Sequence, residues 1–147
     1  MMDLAAMLEA LNRLKGSTLP LWGEMTAQEM VEHLSDLLVM SQGKGNFMTD
    51  ADSETQERRQ KFLFSDKEMA KNVAIPFKIK KTELRNDELE LAVDEFTTEW
   101  LNFIEFYETN PKAERIHPYY GNLNELKWMK LHEKHMIHHF KQFGLIQ

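Results

Sequence analysis

The chain has 147 residues, 42% of them hydrophobic and 29% charged, which suits one domain with a sizeable core and argues against a chain disordered throughout. Eighteen basic against 24 acidic side chains give a formal charge of -6, a poor basis for binding nucleic acid or anionic membrane, whose phosphates call for a positive surface. Without cysteine there is no disulfide, no Cys-containing zinc site and no protein thiol nucleophile, a composition that fits a cytoplasmic protein.

No stretch approaches the roughly 18 apolar residues that a membrane span needs. The segment Met1-Met2-Asp3-Leu4-Ala5-Ala6-Met7 lacks a basic n-region, and Glu9, Asn12 and Arg13 break its apolar run, so no signal peptide is expected.

Residues 3–15 predict a first helix, with Asp3 as cap and Leu4, Met7, Leu8, Leu11 and Leu14 at helical spacing. Gly16 and Ser17 end it, and Pro20 lies in the linker. A second helix is expected over 26–41. Thr26-Ala27-Gln28-Glu29 matches a capping box, and Met30, Leu34, Leu37 and Leu38 form an apolar stripe beside His33. Gly43 and Gly45 terminate it. In 46–86, DSETQERRQKFLFS reads as a short exposed helix and VAIPFKIKK as extended around Pro76. So long a connection suggests a crossover with structure of its own, in the manner of a lid.

A third long helix is predicted over 87–108, starting near Asn86 or Asp87. Leu89, Val93, Phe96, Trp100, Phe103, Ile104 and Tyr107 give it a broad apolar face. Asn110-Pro111 breaks it, and His117-Pro118-Tyr119-Tyr120-Gly121 reads as a loop. The last helix is expected over 123–143, capped by Asn122 or Asn124 and stopped by Gly144. The fold class predicted is all-α: one domain, a four-helix bundle with a long crossover between helices two and three.

Four of the six histidines fall between positions 132 and 139. Residues four apart on a helix project about 40° apart, so His135 and His139 can converge on one metal ion. The spacing is that of HExxH zinc sites, but the glutamate of those sites is absent. A catalytic zinc usually takes three protein ligands and leaves one position open, and His33 is the natural third. Neutral imidazoles suit zinc, nickel, copper or iron. A single histidine on an apolar face is more often a hydrogen-bonded core residue than a ligand; the clustering is what raises the ligand reading here. Trp128 and Gln142 share the arc of the pair. His132 and His138 lie on opposite flanks, and either is a candidate acid or base, a hydrogen-bonding group for a ligand, or a solvent-facing residue. His117, before a proline, reads as part of a turn. Glu29 and Asp36, one turn either side of His33, are candidate acceptors for its ring N–H or solvated charges. The ten methionines and nine phenylalanines read as core filling, and no phosphate loop or Ser-His-Asp arrangement is visible.

The segment WGEMTAQEMVEHL, Trp22 to Leu34, resembles the second-helix region of the DinB/YfiT-like metal-binding four-helix bundles. HPYYGNLNELKWMKLHEKHMIHHFKQFGL resembles the last helix and its approach in a small bacterial subfamily of that group. Together they cover about 40 positions, in matching order and separation. The shared element is one histidine on helix two and an HxxHHxxQ pattern, here His135, His138, His139 and Gln142. The resemblance implies an up-down-down-up bundle and a divalent metal, with zinc or nickel foremost, on His33, His135 and His139. Some relatives are thiol-dependent transferases using a low-molecular-weight thiol, others are hydrolases or isomerases, and many have no known activity. Segment 46–86 has no counterpart in the resemblance, and substrate selectivity is expected there.

Two functional readings follow. The first is a metal-dependent enzyme, a thiol-dependent transferase or a hydrolase, acting on a small electrophile with His132 or His138 moving protons. The second is a non-catalytic metal- or ligand-binding bundle, in one form a homodimer, acting by interaction. A closed site with Asp36, Glu29 or His132 as fourth ligand would favour that reading. DNA binding has the least support, since the chain is acidic and carries no nucleic-acid motif.

Overall fold

The Asp3 side chain accepts the Ala6 N–H and starts the first helix, α1, Leu4–Asn12. It ends earlier than the apolar pattern alone suggests, because the next residues are used otherwise. The Arg13 guanidinium bonds the Leu145 carbonyl, and the Lys15 N–H bonds Thr18 Oγ1 at 2.9 Å. α2, Ala27–Ser41, opens with the predicted capping box. Thr26 Oγ1 accepts the Glu29 N–H, and Glu29 accepts the Thr26 N–H, both at 3.1 Å.

The computed structural model describes residues 3–71 and 83–147. Within the crossover, Asp52 caps α3, Ser53–Gln60, and a 3-10 turn follows over Lys61–Phe64, where a short exposed helix was expected. The expected extended piece around Pro76 lies outside the described residues.

The next helix, α4, runs from Leu89 to Thr109, two residues later than its predicted start. The Arg85 and Asn86 N–H groups donate to the Glu32 carboxylate on α2, at 2.7 and 3.4 Å, which commits that segment to α2 before the helix can begin.

Residues 115–123 depart from the expected loop. Arg115–His117 (β1) and Gly121–Leu123 (β2) form an antiparallel hairpin, with Ile116 opposite Asn122. Two three-residue strands are too short to leave an alternating pattern in sequence. Gly121, at φ +82°, closes the turn in a backbone region that favours glycine, and any side chain there would run into Gln56. Asn124, the second of the two candidate caps, then starts α5, Glu125–Gln142.

The protein is thus mostly helical, with α2 packed most extensively on α4 and a single small hairpin among the described residues. The fully buried core residues Met7, Leu11, Met30, Leu34, Phe96, Phe103, Tyr107, Trp128 and Phe140 come from all four long helices. No helix among the described residues is long and apolar enough to cross a membrane.

Phe96, with no exposed surface, is the sharpest test of this core. Phe96→Ala should lower unfolding free energy by about 3–5 kcal/mol through lost burial and a cavity. Thr26→Ala should cost only about 1 kcal/mol by removing one cap. Urea unfolding of the two variants measures both.

Candidate metal centre

His33 is presented by α2, and His135 and His139 by successive turns of α5. His135 Nε2 lies 2.8 Å from His33 Nε2 and 3.0 Å from His139 Nε2. One ring nitrogen from each of the three lies within 4.8 Å of the other two. The rings meet edge to face, with centroids 4.6–5.1 Å apart. The three residues that the sequence assigned to a metal therefore come together, close enough to hold an ion.

The donor chemistry fits a cation. Gln142 Nε2 donates to the Trp22 carbonyl at 3.0 Å, so its Oε1 is the atom facing His139 Nδ1 at 2.7 Å. His139 Nδ1 must then carry the hydrogen, and its Nε2 offers a lone pair to the cluster. A single proton on His135 Nε2 could serve one neighbour well or two poorly, whereas a metal ion accepts three lone pairs at once. Nitrogens around a tetrahedral zinc stand about 3.3 Å apart, since each Zn–N bond is about 2.0–2.1 Å. The contacts of 2.8 and 3.0 Å fall a few tenths of an ångström short of that edge, a gap that small ring shifts would close.

Burial keeps these rings neutral. It lowers the His33 pKa to about 4, with His138 adding to the effect. It lowers His139 to about 3, with His33 adding to the effect and the bond to Gln142 opposing it. His135 is driven well below its ordinary value by burial and then by His139 and His33.

The two flanking histidines have different surroundings. His132 is buried at 2% exposure, its Nε2 3.0 Å from Ser41 Oγ. Ser41 Oγ donates to the Leu38 carbonyl at 2.7 Å, so it accepts from His132 Nε2–H. The ring stacks on Trp128 and meets Phe103 edge on. His138 is half-buried. Its centroid lies 4.9 Å from that of His139 and 5.6 Å from that of Trp22, and it hydrogen-bonds the Met69 backbone. Burial lowers its pKa, while that bond and the charge of Glu68 oppose the shift.

Other candidates are committed elsewhere. Asp36 pairs with Arg85 at 2.8 Å, and Glu29 closes the capping box. His117 Nδ1 accepts the Tyr119 and Tyr120 N–H groups at 3.0 and 3.2 Å, holding the hairpin turn as expected. The ring contacts of Trp128 are with His117 and His132, so sharing an arc with His135 and His139 did not place it against their rings.

Sequence reasoning missed the Trp22 carbonyl and left Gln142 without a role. A glutamine one turn beyond a candidate ligand was the signal available. It also missed Glu32, a carboxylate at 3% exposure that accepts from Arg85, Asn86 and Gln28. Burial pushes the pKa of Glu32 up, but these donors outweigh it and hold the carboxyl below its ordinary range.

Comparison with protein-family models, with curated proteins and with solved structures gives no match to this chain.

His33→Ala, His135→Ala or His139→Ala should each remove most bound divalent metal, whereas His117→Ala should keep it. Elemental analysis of the purified variants decides this, and full occupancy in the His135 variant would defeat the assignment. Acid should also weaken the metal-free fold. Burial lowers His117 to about 4 and His132 to about 3, so each is neutral when folded and takes up a proton on unfolding below about pH 6.5. Their contribution is complete above about 6.5 and falls by about 1.4 kcal/mol per histidine per pH unit toward 3–4. His132→Phe should flatten that slope by one proton in denaturant unfolding between about pH 6 and 4.5.

Proposed function

We propose that this chain is a metal-dependent enzyme of the DinB/YfiT-like kind, a thiol-dependent transferase or a hydrolase acting on a small electrophile. The observation that carries the reading is the convergence of three neutral imidazoles, His135 and His139 buried and His33 partly so, on one point. A divalent ion, zinc or nickel foremost, would lower the pKa of a bound water or thiol and so supply a nucleophile near neutral pH. His33, His135 and His139 would hold it. Asp36, Glu29 and His132, the candidates for a fourth protein ligand, are engaged with Arg85, the α2 cap and Ser41, which favours an open position over a closed site.

Of the two candidate acid–base residues, His138 adjoins the cluster. With one nitrogen donating to the Met69 backbone, the other is an acceptor that can take a proton from a nucleophile and return it. His132, whose Nε2–H is committed to Ser41 in the core, is better suited to holding α5 in place. Trp22, with Lys71 Nζ 4.3 Å from its ring centroid, contributes an apolar wall beside His138.

The family resemblance also proposes the helix directions. Arg85 meets Glu32 near one end of α2, and Tyr107 Oη donates to the Ser41 carbonyl at the other, which supports α2 and α4 running the same way. Ser41–His132 at one end and His33–His135 further along support α5 running oppositely. Both agree with an up-down-down-up bundle.

The test is turnover of a model electrophile by zinc- or nickel-loaded protein, with and without a thiol and with a chelator. Metal-dependent turnover is expected, and thiol dependence separates transfer from hydrolysis. His138→Gln should slow turnover by about a hundredfold with metal occupancy intact. Turnover untouched by complete metal removal would refute the proposal. Full occupancy with no reaction toward any electrophile would favour the non-catalytic bundle.

A further inference from the structure

Gln142 ends α5 at 5% exposure, and a buried amide is costly unless both of its ends are paired. Its Oε1 accepts the His139 Nδ1–H at 2.7 Å, and its Nε2 donates to the Trp22 carbonyl at 3.0 Å. Its own backbone carbonyl accepts the Leu21 N–H at 2.7 Å, which satisfies an acceptor in the last turn of the helix. The α1–α2 linker is therefore bonded twice to one residue. Gly23 follows at φ +79°, and a Cβ there would stand 2.9 Å from Gln142 Nε2. The glycine thus serves both the backbone conformation and the close approach of the amide.

A carbonyl can only accept. The Trp22 carbonyl decides which end of the amide faces the linker, the amide decides which nitrogen of His139 bears hydrogen, and this decides that Nε2 faces the cluster as a lone pair. We propose that Gln142 is a positioning residue for the metal centre, and that the Trp22–Gly23 turn acts on His139 through it. This rests on the reading of His33, His135 and His139 as ligands. It makes the linker part of the centre: one residue, Trp22, orients a ligand through its carbonyl and stands beside His138 through its ring.

The experiment has two arms. Titration of metal-free protein with cobalt(II) against a competing chelator should show Gln142→Met binding about 10–100-fold more weakly, the usual cost of losing a group that orients a histidine ligand. Gln142→Glu keeps an acceptor for His139 but sets a carboxylate oxygen against the Trp22 carbonyl, so it should bind more tightly than Gln142→Met while losing the hold of the linker. Gly23→Ala, which alters no hydrogen-bonding side chain, should fall between them. The second arm uses nitrogen-15 NMR of histidine-labelled, metal-free protein. His139 should carry hydrogen on Nδ1 in the wild type and in Gln142→Glu, and lose that preference in Gln142→Met. An unchanged His139 tautomer in Gln142→Met overturns the proposal whatever the metal does, as does wild-type cobalt affinity in that variant. A wild type that binds no cobalt while the tautomer shifts in Gln142→Met overturns the metal reading instead and leaves the hold of Gln142 on the ring established. Circular dichroism shows that each variant is folded. Should Gln142→Met not fold, Gly23→Ala carries both arms, and its wild-type affinity and tautomer would overturn the proposal.

Discussion

One buried serine sets the register on which the centre depends. Ser41, the last residue of α2, has no exposed surface. Its hydroxyl donates to Leu38 and accepts from His132 on α5, while its carbonyl accepts from Tyr107 on α4. Each of these groups would be costly to bury alone, so the three helices are held where all are paired. His33 lies eight residues before Ser41, about 12 Å along α2 at 1.5 Å per residue. His139 lies seven residues after His132, about 10 Å along α5. A slip of one helical turn at the serine would separate His33 from its partners by about 5 Å.

The charges are distributed to the same end. Two of the acidic groups of α2 are drawn toward Arg85, which pairs with Asp36 and with Glu95 on α4 while its backbone N–H meets the buried Glu32; the third, Glu29, closes the helix cap. The cluster is left with imidazoles and an amide. A divalent ion among neutral ligands would keep its full charge, the condition under which a bound water or thiol loses a proton most readily. A carboxylate in the set would weaken that pull.

What could be read from the sequence follows the range of the interactions. The Thr26 box, the Asp3 cap and the His135–His139 spacing are local, fixed within four residues by helix geometry. The meeting of His33 with that pair is not local, and was inferred from the three ligands that a catalytic zinc usually takes and from the motif resemblance rather than from periodicity. The difference between His132 and His138 escaped the sequence because both flank the ligand face. Which flank meets Ser41 and which meets Met69 is decided by residues 91 and 69 positions away. Glu32 went unnoticed because its donors at Arg85 and Asn86 lie across the crossover. The hairpin escaped for the opposite reason: it is local, but too short to print a period.

Gln56 and Gln60, one turn apart on α3, lie along the free side of β2. Gln56 Oε1 accepts the Asn122 N–H at 3.0 Å, and Gln60 Nε2 donates to the Tyr120 and Asn122 carbonyls at 2.8 and 3.1 Å. Two side-chain amides thus stand where the backbone of a third strand would. A two-stranded ribbon ordinarily leaves a ladder open on which another chain can nucleate a growing sheet. Here a helix has sealed the β2 edge with its own side chains, so the crossover leaves no open ladder on that side of the ribbon for another chain to join.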